Sequence, residues 1–253
     1  MRLIVAQDYN AMSRRAAQMV AKLVRAKPEA AIMVPTGDTP RGFYAELAAI
    51  HRRDEFDVSR LRVFQLDEYL GVGARDPNSF QTWITRAFLD PLGIAASRLV
   101  RLPGDADDAA AACRAYDERM RSAGGCDIAV LGLGWNGHLG FNEPPADPAS
   151  PTRVVALSAE TVASNGRYWG AGARVPNQAL TCGMANILAA RHKLVLVSGE
   201  RKREILRRVV TGPVSPETPA TYLKASDQVT VLADAAAWPW PVPEQDKVAA
   251  DRV

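Results

Sequence analysis

The chain has 253 residues, 47% of them hydrophobic and 23% charged, with a formal net charge of +3. A chain of this length buries roughly 70–75% of the surface that its unfolded form exposes, so it needs no metal or disulfide to hold a core. Its lysines and arginines are scattered, which excludes a nucleic-acid-binding stripe and a polybasic membrane segment.

Taken in chain order, short β-branched runs alternate with longer amphipathic stretches. A strand is expected over 2–6 and a helix over 11–26, then a strand over 30–35 and a helix over 41–53. A third strand is expected over 61–66, helices over 79–89 and 106–122, and a fourth strand over 127–131. The series ends with a strand over 193–198, a helix over 200–211 and a strand over 228–233. Most of these strands are near-continuous apolar runs, the pattern of strands covered on both faces. Alternating strand and helix patterns predict right-handed βαβ units. The expected fold is α/β: a doubly wound, mostly parallel open sheet flanked by helices on both faces. Residues 1–237 are expected to form one domain, and 238–253, rich in Pro, Glu, Asp, Lys and Ala, a flexible tail.

The three cysteines, Cys113, Cys126 and Cys182, are dispersed with no CxxC pair. That fits a reducing compartment and argues against a disulfide framework or a metal site. The opening MRLIVAQDYN is too short an apolar run for a signal peptide, and no run approaches the length of a membrane span. A cytoplasmic location is expected, without membrane or nucleic-acid partners; a homo-oligomer is left open.

In open parallel sheets ligands sit beyond the carboxyl ends of the strands. Three such ends are polar or glycine-rich. Pro35-Thr36-Gly37-Asp38-Thr39-Pro40 joins a strand to a helix, and its small residues could let backbone N–H groups meet an oxyanion at the positive end of that helix. A plain capped turn with Thr39 as N-cap is the structural alternative, and Asp38 fits a phosphate site only if its carboxylate turns away. Phe64-Gln65-Leu66-Asp67-Glu68-Tyr69 carries two adjacent carboxylates, whose side chains diverge at a strand end. One can face a ligand while the other pairs with a helix or a base; a solvated turn is the alternative.

The third end is Leu131-Gly132-Leu133-Gly134-Trp135-Asn136-Gly137-His138-Leu139-Gly140-Phe141-Asn142-Glu143-Pro144, the densest glycine cluster in the chain. It holds one of three histidines, and His138 and Glu143 could converge there as acid–base partners. Gly132 to Gly137 also matches GxGxxG. A dinucleotide fingerprint would need a helix onward from the third glycine and an acid ending the next strand. Pro144 and Pro145 interrupt that helix, and Asp147 and Glu160 end no strand, so no nicotinamide cofactor is expected.

With these three segments in matching order, the chain resembles the glucosamine-6-phosphate deaminase family over residues 2–233. Its wider superfamily includes 6-phosphogluconolactonases and sugar-sensing effector domains. Lactonases share the glycine–histidine pair but differ after it, so the FNEP run favours deaminases. The resemblance implies Asp67 as the base moving a proton between C2 and C1 of the open-chain sugar. It implies His138 as the residue that opens the pyranose ring, Glu143 as its carboxylate partner, and Glu68 and Gly137 as further members of the site. Thr36, Gly37, Asp38 and Thr39 match the phosphate turn, and Arg167 and Lys202 its cationic clamps. The implied reaction turns glucosamine 6-phosphate, or its C4 epimer galactosamine 6-phosphate, into a ketohexose 6-phosphate and ammonia, with no cofactor or metal.

Two positions depart from the family pattern. Asn136, a candidate member of the catalytic set, stands where an aspartate is usual. It can orient the His138 ring but supplies no charge, which predicts a lower pKa for His138 and resembles galactosamine-6-phosphate deaminases. Arg153 fits an arginine of the family's allosteric pocket, but Val155 replaces a lysine there. A lactonase-like hydrolase, another sugar-phosphate isomerase and a non-catalytic sugar-phosphate-sensing regulator are the alternatives.

Overall fold

A computed structural model of the protein describes residues 1–170 and 174–242. The chain runs β1 (Arg2–Ala6), α1 (Tyr9–Ala26), β2 (Ala31–Val34), α2 (Thr39–Asp54), β3 (Arg62–Gln65) and β4 (Asp67–Tyr69). Next come α3 (Phe80–Ile84), α4 (Asp90–Leu92), β5 (Leu99–Val100), α5 (Ala109–Ser122) and β6 (Ile128–Gly132). The last third holds β7 (Arg153–Ala156), α6 (Ala159–Asn165), β8 (Gln178–Thr181), α7 (Met184–Ala189), β9 (His192–Val197), α8 (Arg203–Thr211) and β10 (Val229–Asp234).

Seven strands pair in the order β1-β10-β9-β6-β2-β3-β5, and every pairing is parallel. The apolar runs are explained by the two faces. In β2, Ala31 and Met33 enter one core and Ile32 and Val34 the other; in β6, Ala129 and Leu131 oppose Ile128 and Val130. Helices α1 and α2 cover the second face through Val20, Val24, Phe43 and Leu47, whereas α5, α7 and α8 cover the first through Tyr116, Ile187 and Leu206. Period-2 alternation buries both sides of each central strand, so a continuous apolar run is what such a strand requires. Asp8 caps α1 by accepting from the Ala11 N–H at 2.7 Å.

From β2 the chain winds outward through β3 and β5, and from β6 it winds the other way through β9 and β10. The point where winding reverses therefore lies between β2 and β6, where a crevice opens above the strand ends.

A second sheet of three antiparallel strands, β4-β8-β7, is an element the sequence reading did not anticipate. Leu66 ends β3's run and passes the chain from one sheet to the other, so Asp67 lies opposite Thr181 of β8 rather than in the parallel sheet. Tyr69, Phe80, Phe141 and Trp169 pack around this sheet with ring centroids 4.7–6.0 Å apart.

The expected tail boundary needs one change. Trp238 is 4% exposed, because its backbone N–H turns back onto Asp234 and its ring enters the core. Of that expected tail, residues 243–253 lie outside the described residues. Among the described residues, no helix is long and apolar enough to cross a membrane.

Candidate active site

A cavity of about 370 Å³ opens at the reversal point, lined by residues from the β2 end, the β3–β4 junction, the β6 end, the α6 region and the turn before α8. Thr36, Gly37, Asp38, Thr39, Asp67, His138, Arg167 and Lys202 all line it. A larger cavity, about 550 Å³, lies at the other end of the strands, against α1 and the amino ends of β6, β9 and β10. Its one acid, Asp127, is already paired with Lys27 and Arg191 there.

The β2–α2 turn presents the start of a helix to the cavity. Gly37 has φ +104°, a region that side-chain-bearing residues avoid, and this lets the chain double back before α2. Asp38, not Thr39, takes the N-cap position, and its side chain makes no capping bond. Instead the Tyr9 hydroxyl accepts from the Gly42 N–H at 2.8 Å. The Asp38 carboxylate lies on the rim, accepting from Tyr168 Oη at 2.9 Å and facing Arg167 at 3.4 Å and Arg41 at 3.3 Å.

Asp67 and Glu68 part as strand geometry requires. Asp67 lines the cavity at 7% exposure. Burial, with the neighbouring Glu68 charge second, pushes its carboxyl up to about 8. Glu68 is placed away from the cavity. Its oxygens accept the N–H groups of Tyr69, Phe80 and Gln81 and the Gln65 Nε2, so it secures the first turn of α3. Burial raises its pKa, against the pull of these four donors. The reading of Glu68 as an active-site group is therefore corrected: its bonding capacity is used within the fold.

In the β6 loop the His138 carbonyl accepts from the Gly134 N–H at 3.0 Å, and a Cβ at Gly134 would fall 2.1 Å from the imidazole. Only glycine allows the ring to lie there. Burial pushes His138 down to about 4; Glu143 pulls upward and Lys202 adds to the fall. The imidazole is neutral at pH 7, able to accept at one nitrogen and donate at the other. His138 Nδ1 and Glu143 Oε1 are both buried without a hydrogen-bond partner among the described residues. Glu143 Oε2 accepts from the Ser158 N–H at 3.1 Å, ahead of α6. Glu143 thus acts on His138 through its charge and does not itself line the cavity.

Asn136 also stands back from the cavity. Its Oδ1 accepts from the His138 backbone N–H at 3.2 Å, which corrects the expectation that it orients the ring. The histidine is depressed as expected, but burial is the leading cause. Gly137 is behind the loop, its carbonyl accepting from the Ala220 N–H at 2.8 Å.

Lys202 donates to the Leu133 carbonyl at 2.6 Å, and burial followed by Arg167's charge lowers it to about 8. Arg41, Phe80, Trp83, Trp135, Phe141, Tyr168 and Trp169 also line the cavity, and the sequence reading missed them. Trp135 and Phe141 lay within a quoted motif; Trp83 and Trp169 reach the site only through tertiary packing.

A family model for glucosamine-6-phosphate isomerases and 6-phosphogluconolactonases matches residues 6–232. The chain belongs to this family. A glucosamine-6-phosphate deaminase of Streptomyces avermitilis is 39% identical over 94% of the chain and 91% of that protein. Glucosamine-6-phosphate deaminase 1 of Bacillus subtilis is 37% identical over 92% of the chain and 97% of that protein. Among solved structures, a monomeric glucosamine-6-phosphate deaminase superposes with TM-score 0.91 at 37% identity, over 94% of this chain and 98% of that one. The 6-phosphogluconolactonase of Thermotoga maritima superposes with TM-score 0.74 at 18% identity, a likeness of fold. Both sequence relatives are thus glucosamine-6-phosphate deaminases matched over nearly their whole length.

Proposed function

We propose that the protein is a cytoplasmic amino-sugar-phosphate deaminase that converts glucosamine 6-phosphate and water to fructose 6-phosphate and ammonia. The observation that carries this reading is one cavity holding a carboxyl raised to about 8, a neutral imidazole and two cations near a helix start. Its three cysteines are free and buried, in keeping with a reducing compartment. Residues 1–238 act as one unit, since the cavity draws on both sheets and Trp238 packs into the core.

The phosphate dianion is held by Lys202, Arg167 and the start of α2, where guanidinium and ammonium complement a charged oxygen cluster. Neutral His138 takes the proton of the anomeric hydroxyl and returns one to the ring oxygen, which opens the ring. The C1 aldehyde then acidifies C2. Asp67 removes the C2 proton while a proton passes from the C2 ammonium to O1, giving an enolamine, and Asp67 then delivers its proton to C1. That leaves an imine at C2, which water hydrolyses to the ketone with loss of ammonia. A carboxyl held in a dry setting is a stronger base than one in water, and the substrate's own ammonium at C2 favours its ionised form on binding.

The test is ammonia release from glucosamine 6-phosphate and from galactosamine 6-phosphate, with 6-phosphogluconolactone hydrolysis followed in parallel. Ammonia from the glucosamine substrate at the higher kcat/KM is expected. Hydrolysis of the lactone without ammonia from either amino sugar would overturn the reading.

A further inference from the structure

Arg153 opens β7, directly opposite Thr181, whose other neighbour across the small sheet is Asp67. Its Nη1 donates to Asn142 Oδ1 at 2.8 Å, and lies 3.2 Å from Ser150 Oγ and 3.4 Å from the Pro151 carbonyl. Asn142 is wholly buried, and its Nδ2 donates to the carbonyls of Leu139 and Cys182, both at 2.9 Å. The Asn142 backbone N–H closes back on the Leu139 carbonyl at 3.2 Å. The turn from Leu139 to Asn142 is thus clamped from within, and its two ends are His138 and Glu143.

Those two residues make no hydrogen bond to each other, so their separation is set by the turn between them. The turn in turn depends on the Asn142 amide, whose two ends differ chemically. Its oxygen must face a donor and its NH₂ two carbonyls; reversed, the NH₂ would meet the guanidinium and the oxygen two acceptors. Arg153 fixes the productive orientation with a charge-assisted bond.

We propose that Arg153, acting through Asn142, is a positioning residue that sets His138 against Glu143. This rests on the deaminase reading above. Val155, an apolar side chain, stands two residues on in the same strand and offers no second cation there. The Nη1 of Arg153 is turned to neutral acceptors inside the fold, and burial lowers the guanidinium's pKa against the pull of Asp147.

The experiment compares ammonia release by the parent enzyme, Arg153→Met and Arg153→Lys across pH. A parent without deaminase activity overturns the functional reading and leaves nothing for Arg153 to position. With an active parent, Arg153→Met is expected to lose about tenfold to a hundredfold in kcat, the cost of a small displacement of a reacting group. KM for the sugar phosphate should move less than about threefold, since that ratio corresponds to less than 1 kcal/mol and no phosphate contact is removed. The acid limb of the kcat profile should move to higher pH as the His138 ring loses its dry setting. Arg153→Lys, with one donor point in place of a planar fork, should fall between. Parent-like kcat and pH profile in Arg153→Met overturn the proposal, as does a change confined to KM or to activation by an added sugar phosphate. Should Arg153→Met not fold, Arg153→Lys is read alone: a severalfold fall in kcat with the same limb displaced supports the proposal, and parent behaviour overturns it.

Discussion

Replacing Asp67 with asparagine should abolish turnover and, at alkaline pH, make the protein more stable. Its carboxyl titrates at about 8 in the fold against 3.8 ordinarily, chiefly because it is buried. Below about pH 4 the group is protonated in both folded and unfolded chains, and the position is neutral to stability. Between about pH 4 and 8 the unfolded carboxyl has ionised while the folded one has not, so stability falls by about 1.4 kcal/mol per pH unit. Taken in full, the loss levels off at about 6 kcal/mol above pH 8; local relaxation and water entry should leave about 2. Asparagine has the same shape and no charge, so it removes the loss. In a chain of this length 2 kcal/mol corresponds to a rise in Tm of roughly 4–8 °C. Thermal melts of parent and Asp67→Asn at pH 4, 6 and 9 should therefore diverge progressively. Exchange of the C2 proton into heavy water should vanish in the variant while inorganic phosphate still binds. A Tm difference independent of pH would refute the claim that Asp67 is desolvated. Exchange at the parent rate would refute its role as base.

Glu68→Gln should lower stability by about 2–4 kcal/mol in urea unfolding, because an NH₂ replaces an oxygen that accepts backbone N–H groups. In the folded fraction it should also shift the acid limb of kcat/KM downward, since the charge that helps raise Asp67 is gone. Lys202 carries its charge only below about 8 in the free enzyme, so competitive inhibition by inorganic phosphate should weaken above that pH. Lys202→Met should bind phosphate more weakly and lose that pH dependence; a parent-like inhibition constant would remove Lys202 from the phosphate site. Asn136→Asp adds a carboxylate two residues from an imidazole that titrates near 4 and should move the acid limb of kcat upward, where bound substrate has already ionised Asp67. An unchanged profile would mean that the charge at 136 does not reach His138.

The parallel sheet was legible because its central strands are buried on both faces. Runs such as Ala31–Val34 and His192–Val197 contain the information needed to recognise them. The small sheet left no such trace. Arg153–Ala156 is only partly buried, and Asp67–Tyr69 is three residues long. Their pairing with Gln178–Thr181 joins segments far apart in the chain, which no local pattern encodes. Helices α6 and α7 span seven and six residues, too short to develop a clear 3.6 period. Likewise the glycine turns around Gly37 and Gly134 announced their place in the site, whereas Arg167 and Lys202 read locally as ordinary surface charges. Only the resemblance set them beside a phosphate.

The pair Asp67–Glu68 marks the border between these two kinds of information. Strand geometry alone requires adjacent side chains to diverge, so two roles were foreseeable. Which carboxylate would take which role was not, because two distant contacts decide it. Pairing of Asp67 with Thr181 turns the first residue toward the β6 loop, and the start of α3 offers its N–H groups to the second. The same division explains the chemistry. Glu68 accepts four hydrogen bonds that favour its charged form against burial, whereas no donor among the described residues reaches the Asp67 carboxylate. A buried carboxyl with a charge behind it and no donor in front holds its proton near neutrality. It will release that proton when a cation, such as the ammonium of an amino sugar, enters the cavity. The base is therefore switched on by the substrate it acts upon, and kcat should show its acid limb at lower pH than kcat/KM. Coincident limbs would mean that Asp67 does not sense the bound amine.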